Sequence, residues 1–188
     1  GLANDGDGDR TAGVHTDGKF FSPLEMIALL ALYLIEKRNM SGLLATNNAN
    51  TLYLKKIADD HNLPCRNTPV GFKYIAELML KEPLLIGGEE SGGITIQGYL
   101  PERDGILIDL LLCEMIVKSG KSIKELLNEI YNRYGEFHFR RRDFGVESEK
   151  GMRQVKKLAE NPPKELCGYK VVNVDCLDGT KLFLESGG

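Results

Sequence analysis

Six consecutive residues near the start of the chain, Asp5-Gly6-Asp7-Gly8-Asp9-Arg10, put three carboxylates at alternate positions with glycines between them. Glycine lets the backbone curl tightly, so Asp5, Asp7 and Asp9 can turn toward one centre. An all-oxygen donor set of this kind suits a hard divalent cation, Mg²⁺ above all. The competing reading is a solvated acidic turn. Two other acidic-loop chemistries fail on spacing. An EF-hand counted from Asp5 requires glycine at its sixth position and glutamate at its twelfth, where this chain has Arg10 and Thr16. A haloacid-dehalogenase phosphatase requires an apolar strand leading into its aspartate pair, and none of useful length precedes Asp7.

A second loop, Gly88-Glu89-Glu90-Ser91-Gly92, offers a carboxylate and a hydroxyl two residues apart. Both can accept hydrogen bonds from vicinal hydroxyls, as on a sugar ring. It follows an apolar run, Pro83 to Ile86, so it belongs at the carboxyl end of a strand, where open α/β sheets bind ligands. A third segment, Thr68-Pro69-Val70-Gly71-Phe72-Lys73, opens a helix, and backbone amides at a helix N-terminus favour anions. Lys73, in the first turn of that helix, can be read as an ordinary exposed helix lysine. Arg10 and Arg103 are further candidates for positive charge near a substrate.

The elements that would hold these loops alternate. Ser22-Pro23-Leu24-Glu25 is a capping box with proline at the first helical position, and the helix it starts should reach about Arg38. Apolar residues on nearly all its sides (Leu24, Ile27, Leu30, Leu34 among them) predict burial. Then follow a strand at 41–46, a helix at 50–61, a strand at 63–68, a helix at 71–81, the strand at 83–86, and a helix at 104–118 capped by Asp104. Ser122 to Glu125 repeats the capping box and starts a helix to about Arg133. Alternation of this kind predicts a largely parallel sheet.

Beyond Tyr134-Gly135 the pattern changes. Residues 137–144 read as an extended strand, 148–160 as a helix stopped by Pro162-Pro163, and 169–175 and 181–185 as strands joined by an Asp178-Gly179 hairpin turn. The fold class is therefore α/β: a three-layer α/β/α domain with a mostly parallel sheet, followed by part of a smaller α+β domain. Residues 1–21 hold little that could pack, and both ends of the chain are expected to be incomplete.

Composition narrows the partners. With 188 residues, 42% hydrophobic and 27% charged, the chain has ordinary globular composition. A net charge of −3 argues against a nucleic-acid or acidic-membrane partner. Arg140-Arg141-Arg142 lies on a predicted strand, pointing to alternating faces, and reads as a solvated linker. The longest apolar run, Ile27 to Ile35, is too short to span a bilayer. Cys65, Cys113, Cys167 and Cys176 form no C-x-x-C pair, which fits reduced thiols in cytoplasm. His15, His61 and His138 have no metal-ligand or triad spacing.

The string DGDGDR and the GEESG loop about 80 residues later together resemble the α-D-phosphohexomutase family, which includes phosphoglucomutase and phosphomannomutase. The resemblance covers nearly the whole chain: the end of that family's second domain (1–21), all of its third (22–134) and the start of its fourth (135–188). It implies that Asp5, Asp7 and Asp9 hold Mg²⁺ opposite a phosphoserine, and that Glu89 and Ser91, framed by Gly88 and Gly92, contact a hexose phosphate. It also implies that Thr68, Gly71 and Lys73 belong to a loop closing over substrate. The family's phosphoserine, in a Ser-His motif, and its final phosphate-binding loop do not occur in these residues, so partners would include the remaining domains of a parent chain. Glu90 and Gly93 lean toward glucose over mannose or glucosamine phosphates. The alternatives are a non-catalytic sugar-phosphate or Mg²⁺-binding module, and a scaffold whose loops are incidental turns.

Overall fold

The computed structural model describes residues 1–187. Its chain forms two compact units, Gly1–Phe139 with two sheets and the residues from Arg140 onward with one.

The first unit opens with an antiparallel sheet of β1 (Leu2–Asn4), β2 (Thr11–Val14) and β3 (Phe20–Phe21) in that order. This corrects the expectation that residues 1–21 hold little that packs: Thr11 and Phe21 are buried, and Phe21 joins the main core. Strands of two to four residues are too short for alternation to show in sequence.

The Ser22 capping box forms as expected, its hydroxyl accepting from Glu25 N–H while Glu25 accepts from Ser22 N–H. Helix α1 (Pro23–Leu32) continues as a π-helical turn over Tyr33–Lys37, ending where the capping and apolar pattern put it. Eight of its ten residues, Pro23 through Ala31 apart from Glu25, are buried.

The central sheet has the order β5-β4-β6-β7, made of β4 (Leu43–Asn47), β5 (Cys65–Thr68), β6 (Leu84–Gly88) and β7 (Ile94–Ile96). β4 runs parallel to both β5 and β6, as the alternation requires, while β7 returns antiparallel to β6. β7 goes beyond the sequence expectation. Its three residues follow a glycine pair and carry no signal of their own, and the consequence is that Gly88 sits inside a strand and 89–93 form a hairpin loop.

Successive side chains of a strand face opposite ways, and β4 divides the core accordingly. Leu44 packs with Leu85 and Ile86 beneath α1, α2 (Tyr53–Asp60), α4 (Gly105–Ser119) and α5 (Ile123–Tyr134). Ala45 faces the other way and packs with Leu84, Phe72 and Ile75 beneath α3 (Phe72–Lys81). These are the three layers. Asp104 caps α4 by accepting from Leu107 N–H at 2.9 Å, and Gly120, left-handed at φ +66°, ends it.

The extended strand expected over 137–144 is not formed. Side-chain contacts take the place of a ladder at its start: Phe137 N–H donates to the Tyr53 hydroxyl, and the two rings meet edge-on with centroids 4.9 Å apart. The second unit contains α6 (Ser148–Glu160), as expected, and an antiparallel sheet of β8 (Glu165–Leu166), β9 (Tyr169–Asp175) and β10 (Lys181–Leu184). The β9–β10 hairpin turns at Gly179, left-handed at φ +79°. β8, two residues long, is an addition to the sequence reading. Among the described residues no helix is long and apolar enough to cross a membrane.

Candidate functional site

The acidic loop is the turn of the β1–β2 hairpin, whose register pairs Asn4 with Thr11. Gly8, at φ +75°, folds back so that its N–H donates to Asp5 O, and Asn4 Nδ2 donates to Arg10 O across the loop's base. One oxygen from each of Asp5, Asp7 and Asp9 then falls within 4.8 Å of the others. Arg10 closes back on the loop, with Nε 2.5 Å from Asp5 Oδ2 and backbone N–H donating to Asp5 Oδ1. Partial burial opposes ionisation of Asp5, but the Arg10 backbone and guanidinium outweigh it and hold the carboxyl below its usual range.

Asp9 differs from its neighbours. Its Oδ2 pairs with Arg103 Nε, while its Oδ1 is buried and has no hydrogen-bond partner, with only the Arg10 charge 3.5 Å away. A buried carboxylate oxygen without a hydrogen bond is costly. Together with two converging carboxylates it fits a site for a hard cation.

The second loop is the β6–β7 hairpin, closed by Glu89 N–H to Gly93 O and Gly92 N–H to Glu89 O. Glu89 is only 6% exposed. Its Oε1 accepts from Gly71 N–H at 2.8 Å and from Asn47 Nδ2 at 3.2 Å, and its Oε2 lies 3.9 Å from Arg103 Nη1. Gly71 is the N-cap of α3, and its amide, at the helix N-terminus expected to favour a bound anion, is taken up by this carboxylate of the same chain. Ser91 is exposed at the tip.

The two loops meet. Thr11 N–H donates to Gly92 O at 3.1 Å, and the approach is so close that a Cβ on Gly92 would lie 2.4 Å from Thr11 O. Beside this contact opens a cleft of about 340 Å³ lined by Asn4, Asp5, Arg10, Thr11 and Ser91. By contrast, the apolar gap of about 70 Å³ between α1, α4 and α5 is too small for a hexose.

The third segment divides. Gly71 joins the site through Glu89, whereas Thr68 is spent inside the sheet, its hydroxyl donating to Thr46 O at 3.2 Å. Lys73 is exposed with its ammonium 4.8 Å from the Tyr74 ring centroid, and among the described residues it makes no ion pair with either loop. Gly88 serves as backbone: its carbonyl accepts from Asn50 Nδ2 at 2.6 Å.

Sequence reasoning missed Asn47, at the carboxyl end of β4 and 1% exposed. Its Nδ2 donates to Glu89 Oε1 and to Glu90 Oε2, and its Oδ1 accepts from Ala49 N–H. The available signal was its position, a polar residue ending a central parallel strand. Asp109 on α4 was also missed. It accepts from the Thr11 hydroxyl and so straps the hairpin to that helix; burial raises its pKa, against the pull of hydrogen bonds from Thr11 and Asn4.

Known proteins resemble this chain in sequence and fold. Residues 22–134 match the family profile described as phosphoglucomutase/phosphomannomutase, alpha/beta/alpha domain III. The chain is 34% identical over 187 residues to the phosphoglucomutase/phosphomannomutase of Thermococcus kodakarensis, covering all of this chain but 39% of that protein. It is 36% identical over 135 residues to the phosphoglucosamine mutase of Carboxydothermus hydrogenoformans, covering 69% of this chain and 30% of the other. A crystal structure from Thermus thermophilus, assigned as a phosphomannomutase, superposes with a TM-score of 0.82 at 36% identity, covering 98% of this chain and 38% of that one. The chain thus spans less than two fifths of the length of these relatives.

Proposed function

This chain belongs to the phosphoglucomutase/phosphomannomutase family of α-D-phosphohexomutases, and on that premise we propose that it carries the metal-holding and sugar-recognising parts of an enzyme interconverting hexose 1-phosphate and hexose 6-phosphate. The observation that carries this reading is the Thr11–Gly92 hydrogen bond, which sets the aspartate loop and the Ser91 tip on one cleft.

In this reading Asp5, Asp7 and Asp9 hold Mg²⁺, which when bound neutralises charge on a transferring phosphoryl group. The remaining work belongs to the chain. Glu89, pinned through Oε1, offers Oε2 to a sugar hydroxyl, and Ser91 adds a second polar contact at the cleft mouth. Arg10, on the cleft wall beside Asp5, balances part of the carboxylate charge. In this reading the nucleophile is a phosphoserine carried by another domain of the parent, and positioning groups from separate domains is a large part of such catalysis.

The same reading assigns residues 1–21 to the end of a second domain, 22–134 to the third and 135–188 to the start of a fourth, with the profile match supporting the middle span. It makes the protein cytoplasmic, with the other domains of its parent as partners. Glu90 and Gly93 favour glucose phosphates, with mannose phosphates accepted. Relatives named phosphoglucosamine mutase make the choice of sugar the point to test.

Calorimetric titration of the chain with Mg²⁺, then with glucose, mannose and glucosamine 1-phosphates in its presence, tests the reading. Mg²⁺ uptake lost in Asp7→Asn, and glucose 1-phosphate binding lost in Glu89→Gln, are expected. Binding that survives both substitutions would reduce the loops to incidental turns.

A further inference from the structure

Arg103 reaches both loops. Its Nε pairs with Asp9 Oδ2, its Nη1 stands 3.9 Å from Glu89 Oε2, and its guanidinium carbon lies 5.7 Å over the Phe72 ring at the start of α3. The passage it takes exists because residue 93 is glycine: a Cβ there would sit 2.7 Å from Arg103 Cδ.

The surrounding bonds decide which atoms remain open. Glu89 Oε1 already accepts from Gly71 and Asn47, so Oε2 is the open oxygen on the sugar-loop side. On the metal-loop side Arg103 occupies Asp9 Oδ2 and leaves the buried Oδ1 without a hydrogen bond. A dication arriving at Asp9 meets a guanidinium on the same carboxylate. Like charges a few ångströms apart repel, and both draw on one anion.

Resting on the assignment of Mg²⁺ to the aspartate loop, we propose that Arg103 is a competing cation that couples the two loops. It holds Asp9 while the metal is absent, and metal loading releases its guanidinium from Asp9 toward the open Oε2 of Glu89. Arg103 is thus a positioning residue, transmitting the state of the metal loop to the carboxylate that reads the sugar. Linkage makes this reciprocal: whatever draws Arg103 to Glu89 strengthens metal binding at Asp9.

The test uses the chain itself, with Mg²⁺ alone as the ligand. Calorimetry should find Arg103→Met binding Mg²⁺ about tenfold tighter than the parent, the Coulomb scale for removing one charge a few ångströms from a dication in a wet site. Arg103→Lys, which keeps the charge, should stay within about twofold on the same reasoning. In the unsubstituted chain the Arg103 Nε–H resonance should shift as Mg²⁺ saturates, a readout that needs no variant to fold. Equal affinity for parent and Arg103→Met, or an Nε–H resonance unmoved at saturation, overturns the coupling and leaves the metal site standing. Absence of Mg²⁺ uptake by both proteins overturns the metal assignment and the coupling with it.

Discussion

The backbone N–H of Thr11 donates to the carbonyl of Gly92 at 3.1 Å, joining the strand that leaves the acidic loop to the hairpin that carries Glu89. Gly92 holds φ +101° there, and a Cβ would fall 2.4 Å from Thr11 O. Gly92→Ala should therefore destabilise the first unit by about 1–3 kcal/mol through backbone strain and displacement of β2. Urea denaturation measures the loss, and an unchanged midpoint would mean that the contact is slack.

Asn47→Ala removes a buried amide that donates to Glu89 and Glu90 together. Leaving those acceptors short should cost about 1–3 kcal/mol. The Gly71 N–H to Glu89 bond remains in the variant, so amide exchange at Gly71 should accelerate only modestly. Exchange as fast as in a free loop would show that Asn47, not Gly71, fixes the carboxylate.

Asp109 gives a prediction with a definite sign. Burial raises its folded pKa, partly countered by the Thr11 and Asn4 hydrogen bonds. The folded state therefore favours the neutral acid, a contribution that is complete below the unfolded value of about 4 and fades as pH rises through the folded one. Asp109→Asn keeps an acceptor for the Thr11 hydroxyl and carries no charge. It should be more stable than the parent at pH 7 and less favoured at pH 3.5, compared by urea midpoints.

Glu114 has the opposite sign. Arg38, then Lys118, then Tyr33 hydrogen-bond its carboxylate and pull its pKa down to about 2. That stabilisation is full above the unfolded value near 4.5 and is lost as pH falls toward 2. Glu114→Gln should lower stability at pH 7 and make little difference near pH 2, with chemical denaturation at the two pH values as the check.

What could be read from the chain was what is encoded locally. The Ser22 and Ser122 capping boxes and the Asp104 cap formed as read, because each satisfies its own helix end with residues three apart. The aspartate loop was legible for a related reason, since alternate carboxylates converge through their own backbone. β1, β3, β7 and β8, two or three residues each, pair only because a neighbour is present, and no periodicity announces them. Residues 137–144 had strand-like composition but found no partner strand. Asn47 and Asp109 act across 42 and 98 positions of sequence, where local pattern carries no information.

The start of α4 has a wider consequence. Asp104 N–H donates to Ile94 O and Gly105 N–H to Gly8 O, directly after Arg103 reaches Asp9. One short stretch thus fastens the acidic hairpin, the return strand and a helix together. A boundary drawn at residue 22, however natural on paper, would cut through this junction. In recombination or engineering the two loops should therefore travel as one inherited cassette, and a swap that imports either without the other should yield a protein that folds poorly before its chemistry can be asked about.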